Sequence, residues 1–146
     1  MPGLVEQFYE ARQRGDEAEI RALLADDVVW HEPPVNDVTG DLIGPDAVLR
    51  MMREAQSRTN GTFRLRVNGG VANQSHAAAR IDWTAIADGR HLQGSEIAVF
   101  RIREGQIAEA WFFQQDICAD AAFWGVDITA AGEPPAAPKP KPASAT

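Results

Sequence analysis

Residues 62–116 form four long segments that look like strands, with no helical pattern between them. Within each segment apolar and polar residues alternate, which is the period of a half-buried β-strand. Asp88-Gly89 and Glu104-Gly105 separate the last three segments and are typical of tight hairpin turns. Consecutive strands joined in this way favour an antiparallel meander over a doubly wound parallel sheet. The segments span residues 62–72, 75–87, 91–103 and 106–116.

Three helical patterns precede the meander. Residues 4–14 place their apolar side chains at helical spacing, and Gly15 ends this pattern. Asp16 and Glu19 form a capping-box pattern that starts a second helix, which continues to about residue 24. Pro45 suits the first turn of a third helix, which runs to about residue 57.

Shorter elements complete the predicted domain. Residues 28–32 form a short strand that Pro33 and Pro34 end, and a polar loop follows at 35–43. A short helix is expected at 117–124. Because the helices are segregated from the strands, the fold class is α+β.

Composition limits the functions that are open to this chain. The 146 residues suit one domain, predicted at 1–132, with a disordered Pro/Ala/Lys tail at 133–146. A net charge of −7 disfavours binding to nucleic acid or to anionic membranes. The single cysteine, Cys118, cannot form an internal disulfide, and no signal-peptide pattern is present, so a cytoplasmic location is expected.

Two segments carry a resemblance to the SnoaL-like proteins. Residues 21–33, with the sequence RALLADDVVWHEP, and residues 44–48, with GPDAV, are similar to that family's strand-and-loop pattern. Residues 99–111 resemble its penultimate hairpin. The resemblance covers about residues 4–125 and implies the cone-shaped fold of the nuclear-transport-factor-2-like (NTF2-like) superfamily. In that fold three N-terminal helices pack on a strongly curved, mostly antiparallel sheet, with a short C-terminal helix.

Glu32 matches the position of the catalytic base in the ketosteroid isomerases of this superfamily. A carboxylate partly buried beside Trp30 would have a raised pKa suited to proton abstraction, although a solvated strand-end Glu is the alternative interpretation. The oxyanion-binding pair of those enzymes would fall at Phe8 and Ala98, which cannot act as donors. Tyr9 is adjacent to Phe8 but lies on a different helical face. An ordinary steroid isomerase is therefore not expected.

Arg80 and Asp82 form a second candidate group. Alternation places them with Thr84 on one strand face, and the alternative is a plain outward ion pair. The Arg-x-Asp pattern resembles the limonene epoxide hydrolase branch, in which the Arg holds two carboxylates. Trp111 also matches that branch, but Phe113 stands where its second carboxylate is expected.

These candidates are predicted to line one apolar pocket with a few polar groups, the usual form of a small-molecule site. Glu32, Arg80 and Asp82 are the predicted catalytic residues, and Trp30, Glu96, Trp111 and Phe113 the predicted substrate-binding ones. Three further candidates are Asp116, Tyr9 and His31. Asp116 is most simply a helix N-cap, and His31, which alternates away from Glu32, suits a structural position. No residue spacing suggests a metal site.

The sequence thus predicts cofactor-free acid–base chemistry on a small, mostly apolar carbonyl compound or epoxide, of the isomerase or polyketide-cyclase type. Epoxide hydrolysis is one alternative, and a non-catalytic ligand-binding or scaffolding domain is another. A homodimer is expected, because Ile81, Trp83 and Ala85 are predicted to form an apolar outer sheet face that needs cover.

Overall fold

The computed structural model describes residues 3–33 and 40–116. Helices and strands are segregated as predicted. The helices are α1 (Leu4–Arg14), α2 (Glu17–Leu23) and α3 (Pro45–Arg58). The strands are β1 (Leu24–His31), β2 (Asp41–Ile43), β3 (Arg64–Ala72), β4 (His76–Ala87), β5 (Arg90–Arg103) and β6 (Gln106–Gln114). Within these ranges the longest helix has 14 residues, and no helix is long and apolar enough to cross a membrane.

All six strands belong to one sheet, in the order β2-β1-β6-β5-β4-β3. The pairing of β1 with β6 is parallel, and every other pairing is antiparallel. The predicted α+β architecture, with three helices on a mostly antiparallel sheet, is confirmed. The parallel pairing brings the end of β1 beside β6, which positions Glu32 next to the meander.

The two predicted hairpin turns and the predicted N-cap of α2 are also present. Asp88 and Gly89 both have positive φ, at 51° and 74°, as two-residue hairpin turns of this twist require. Glu104 and Gly105 adopt the same conformation, at 52° and 75°. At the start of α2, the Asp16 side chain accepts a hydrogen bond from the Glu19 backbone N–H.

Two predicted boundaries were wrong. β1 begins at Leu24, because Leu24 is fully buried and pairs with Ile107 across the parallel ladder. The predicted loop at 35–43 contains β2, whose residue Leu42 pairs with Trp30. The predicted helix at 117–124 and the tail at 133–146 lie outside the described residues.

The sheet has two faces with different surroundings. On the helix-covered face, Trp30, Ile81, Phe100 and Phe112 pack in one core with side chains of all three helices, such as Phe8 of α1. The opposite face carries Arg80 and Asp82 and has no helix packed on it within the described ranges; we call it the open face. Because strand residues alternate between faces, each candidate residue belongs to one of the two.

The predicted dimer surface was wrong. Ile81, Trp83 and Ala85 are 0%, 4% and 2% exposed, and they lie in the core beneath the helices. On the open face, the exposed apolar side chains are instead Ile97 and Phe113, at 45% and 59%. A homodimer stays a prediction, and this patch is the surface that it would have to cover.

Candidate active site

The predicted single pocket does not exist, because the sheet divides its members. Trp30, Glu32 and Glu96 lie on the helix-covered face, together with Tyr9 of α1. The remaining members lie on the open face or at its edge: Arg80, Asp82, Trp111, Phe113, His31 and Asp116. The prediction that Glu32 and Asp82 share one site was therefore wrong.

Glu32 is positioned by the strand that precedes it. Its backbone N–H donates to the Gly40 carbonyl oxygen at 3.0 Å, and its Oε1 accepts from Trp30 Nε1 at 3.0 Å. Trp30 itself is fully buried, with its ring centroid 4.8 Å from that of Phe112 and 5.4 Å from that of Phe8. The carboxylate is thus attached to a rigid aromatic core.

Burial raises the pKa of Glu32. Desolvation of the carboxylate is the largest effect, and the Trp30 hydrogen bond and the Arg12 charge oppose it only in part. A carboxylate with a raised pKa is a stronger base than an ordinary surface Glu once it is ionised. The environment therefore disfavours the charged form of Glu32 and makes this carboxylate the candidate base of the helix-covered face.

A second carboxylate lies on the same face. Glu96 and Gln114 are register partners on β5 and β6, and Gln114 Nε2 donates to Glu96 Oε1 at 2.7 Å. The negative charge of Glu96 contributes to the raised pKa of Tyr9. Glu96 thus extends the polar end of the site around Tyr9 and Glu32.

Both Tyr9 and Phe8 of α1 reach the core. Sequence reasoning placed the two on different helical faces, but α1 buries both side chains, at 4% and 0% exposure. Their rings meet edge to face, with centroids 5.4 Å apart. The apolar stripe of α1 is therefore wide enough to carry an aromatic ring on each flank.

Arg12 and Gln114 were missed as site residues by sequence reasoning. Arg12 stands one helical turn after Phe8, a spacing that puts it on the core-facing side of α1. Gln114 continues the alternation of Ala110 and Phe112 along β6. Both spacings were available in the sequence, but a charged or amide side chain in an apolar stripe is usually assigned to solvent.

Asp82 lies within a saturated hydrogen-bond network on the open face. It accepts hydrogen bonds from Ser95 Oγ at 2.7 Å, Asn68 Nδ2 at 2.8 Å, Arg80 Nε at 2.9 Å and Arg66 at 3.3 Å. Ser95, then Arg80 and Asn68, hold the pKa of Asp82 well below its usual range. An acid that ionises this readily is poorly suited to donating a proton at neutral pH.

The network lines a groove of about 860 Å³ on the open face. Asp116 lies at its edge, next to Gln115. The helix that Asp116 was predicted to cap lies outside the described residues. Glu32 lies on the other side of the sheet from Arg80 and Asp82.

Comparison with known proteins places this architecture in a family. The model of the SnoaL-like domain matches residues 5–110. The chain belongs to the SnoaL-like family. No functionally curated protein is significantly similar to it in sequence.

Several solved structures share the fold of this SnoaL-like protein. A Xanthomonas campestris protein of unknown function with a cystatin-like fold is 28% identical, with 83% of this chain and 95% of that chain covered and a TM-score of 0.75. IdmH from Streptomyces antibioticus, provisionally a polyketide cyclase, is 23% identical, with coverage of 84% and 96% and a TM-score of 0.70. An epoxide hydrolase from M. tuberculosis that resembles limonene epoxide hydrolase is 21% identical, with coverage of 79% and 81% and a TM-score of 0.64. The predicted NTF2-like fold is confirmed, and the latter two similarities show the fold alone.

The SnoaL-like domain also carries a histidine between two carboxylates on its open face. His31 Nδ1 lies 2.9 Å from Asp41 and Nε2 lies 2.7 Å from Glu109, while the ring stacks on Trp111. Ionised carboxylates only accept hydrogen bonds, so this geometry suits a doubly protonated imidazolium. Hydrogen bonds to Glu109, then to Asp41, raise the pKa of His31.

We expect His31 to titrate above the ordinary histidine value of about 6.5. Because the folded-state pKa is raised, His31 stabilises the fold fully below the unfolded pKa, and this stabilisation is lost as the pH rises through the folded pKa. NMR titration of the imidazole signals, assigned with a His31→Gln variant, measures the midpoint.

Glu109→Gln should lower the His31 midpoint more than Asp41→Asn does, since Glu109 is the larger cause. Asp27→Asn, which changes the separate ion pair with Arg103, is the matched control. A His31 midpoint that Glu109→Gln leaves in place would contradict the assignment.

His31 thus connects β1 with β2 and β6 through its contacts with Asp41 and Glu109. Within residues 3–33 and 40–116, no group of three or more His, Cys, Asp or Glu side chains is placed to hold a metal ion.

Proposed function

We propose that this SnoaL-like protein is an enzyme that catalyses proton transfer on a small, mostly apolar carbonyl compound. Glu32 is the general base. The observation that carries the proposal is the desolvated Glu32 carboxylate, with its raised pKa, held by Trp30 on the helix-covered face. Enzymes commonly tune carboxylates in this way to work as bases near neutral pH.

The chemistry follows from these groups. The ionised Glu32 carboxylate takes a proton from a carbon next to the substrate carbonyl, and the electron pair of that C–H bond forms an enolate. Return of the proton to another carbon gives an isomer. Attack of the enolate carbon on a second carbonyl instead closes a ring, and the alkoxide formed from that carbonyl takes the proton back from Glu32. Both outcomes need no external oxidant or reductant, and the apolar core around Trp30 favours a substrate with an apolar skeleton.

Epoxide hydrolysis receives no support from the placement of the side chains. The predicted Arg80–Asp82 pair lies on the open face, across the sheet from Glu32. An Arg that holds both an acid and a base must contact both, and Arg80 contacts only Asp82 among the described carboxylates. The other alternative is a non-catalytic binding domain, and the exchange experiment described next distinguishes it from the proposed enzyme.

Hydrogen–deuterium exchange at the carbon next to a carbonyl tests the proposed proton transfer directly. A series of small cyclic ketones is incubated with the protein in D₂O, and exchange is followed by NMR. We expect exchange above the buffer rate, rising with pH through the raised pKa of Glu32, because only the ionised carboxylate accepts a proton. Exchange at the buffer rate for every ketone would identify a binding domain instead.

A further inference from the structure

The groove on the open face is separate from the site of the proposed proton transfer. Strands β3, β4 and β5 line it, and its volume of about 860 Å³ is in the usual size range of small-molecule sites. Glu32 lies across the sheet from it, under the helices. Three arginines, Arg64, Arg66 and Arg80, are among the residues that line the groove. These side chains give the groove a chemistry of its own.

The charge of this groove is opposite in sign to that of the chain. The whole chain has a net charge of −7. Among the described residues that line the groove, three guanidinium groups stand against two carboxylates, those of Asp82 and Asp116. Asp82 offsets one guanidinium charge, and Asp116 lies at the edge. A concave surface with an excess of positive charge concentrates anions.

The arginines of the groove lie outside the carboxylate that they contact. The Asp82 side chain is 24% exposed, whereas those of Arg66 and Arg80 are 75% and 54% exposed. Asp82 also accepts hydrogen bonds from Ser95 and Asn68, which occupy its remaining oxygen sites. A ligand that enters the groove therefore meets guanidinium N–H groups before it meets the carboxylate.

These arginines are anchored without being saturated. Arg80 donates from Nε to Asp82 at 2.9 Å and from Nη2 to Ser95 at 3.2 Å. Arg64 donates from Nη1 to two backbone carbonyl oxygens, at 2.6 and 3.1 Å. Arg66 makes one longer contact, at 3.3 Å to Asp82. A guanidinium has five N–H donors, so each arginine keeps donors for a ligand, and anchoring lowers the entropic cost of binding.

We propose that the open-face groove binds a small organic dianion, a dicarboxylate or a phosphate ester, through Arg64, Arg66 and Arg80. Guanidinium groups match the paired oxygens of carboxylates and phosphates. Two of the three positive charges remain after Asp82 is paired, which suits a ligand with two negative charges. A long polyanion would extend beyond the groove and meet the acidic remainder of the chain. This site is additional to the proposed proton transfer and does not depend on it.

Calorimetry with three probes tests the ligand class. Adipate is the dicarboxylate, phenyl phosphate is the phosphate ester, and dimethyl adipate is the uncharged counterpart of adipate. At about pH 8 the first two probes are dianions. We expect a dianion to bind, with an affinity that falls as the salt concentration rises, and dimethyl adipate not to bind. The dianion that binds more tightly identifies the anionic group that the groove prefers.

Arg66→Gln tests the groove itself. This side chain is largely exposed, so the melting temperature of the variant should stay close to that of the wild type. Its affinity for the dianion should fall about tenfold, the usual effect of one lost charged hydrogen bond. Arg64→Gln should act in the same direction. Arg103→Gln is the matched control, because Arg103 also pairs with an aspartate, Asp27, and does not line the groove.

Two results would overturn the proposal: no binding of either dianion by the wild-type protein, or equal weakening of binding in Arg66→Gln and Arg103→Gln. The second result would mean that the dianion responds to the overall charge of the protein and not to the groove. Glu32→Gln distinguishes this inference from the proposed function, since it should slow ketone exchange and bind the dianion as the wild type does. Normal exchange in Glu32→Gln with intact dianion binding would reject the proton-transfer mechanism alone.

Discussion

Glu32→Gln is expected to abolish most of the proton transfer and, at the same time, to stabilise the protein at neutral pH. Gln keeps the shape and the acceptor oxygen for Trp30 but cannot take a proton. General bases typically contribute about 10²–10⁴-fold to the rate, so the exchange rate should fall by about that factor. This is the largest expected effect of any single substitution on activity.

The stability gain follows from the direction of the Glu32 pKa shift. A carboxyl whose folded-state pKa is raised binds its proton more tightly when folded. Wild-type stability therefore declines as the pH rises from the unfolded pKa of about 4.3 through the folded pKa. The Gln variant has no such decline, so its advantage should grow across this pH window and then stay constant.

Urea unfolding between pH 4 and pH 8 measures the stability difference, and the ketone exchange assay measures activity. Asp82→Asn is the control, and the opposite effects on activity and stability are expected for it. It should keep full activity but lose stability, because the ionised acceptor of four hydrogen bonds is replaced. Loss of exchange in Asp82→Asn, or normal exchange in Glu32→Gln, would contradict the assignment of the site to the helix-covered face.

Trp30→Ala is expected to cost the most stability, about 3–5 kcal/mol in the free energy of unfolding. Trp30 is fully buried, and the rings of Phe8, Phe100 and Phe112 surround it. Trp111→Ala, the same change on the open face, should cost only about 1 kcal/mol, chiefly through the lost stacking on His31. Urea denaturation at pH 7 compares the two variants, and equal losses would contradict the two-face description.

Trp30→Phe separates packing from hydrogen bonding. Phe keeps an aromatic ring in the core but removes the N–H that donates to Glu32. Because that hydrogen bond lowers the pKa of Glu32, its loss should raise the pKa further. The pH profile of ketone exchange should therefore move to higher pH, and an unmoved profile would show that the hydrogen bond does not act on the base.

The fold was largely predictable because its signals are local. Gly15, the Asp16 cap and the Asp88-Gly89 turn each specify a conformation within a few residues, and all three are present. The start of β1 at Leu24 was less accessible, since it depends on pairing with Ile107, more than 80 positions away. Long-range partners of this kind leave little trace in local periodicity.

The division of the site was not predicted, although β4 contained the necessary information. Alternation correctly separated Arg80 and Asp82 from Ile81 and Trp83. The family resemblance then favoured the charged set as the interior one, whereas burial energetics favour the apolar set. Placing a guanidinium and a carboxylate under the helices costs desolvation, while burying Ile81 and Trp83 is favourable.

On β6, hydrophobicity could not decide between the faces. Trp111 and Phe113 are apolar, but so are Ala110 and Phe112, and the second pair faces the helices. Size decides here, because Ala110 pairs with Trp30 on one side and with Phe100 on the other. A small residue is needed between two large buried rings, and the sequence does not show which residues those neighbours will be.

The alternation along the strands gives this protein two surfaces that can change separately. Glu96 and its partner Gln114 face the helices, while Ile97 and its partner Phe113, one position away, face outward. Substitutions at one set of positions alter the chemistry of the interior, and substitutions at the other set alter what the exterior contacts. A lineage can therefore acquire a new substrate without rebuilding its associations, or new associations without losing its chemistry, provided that strand length changes in steps of two residues.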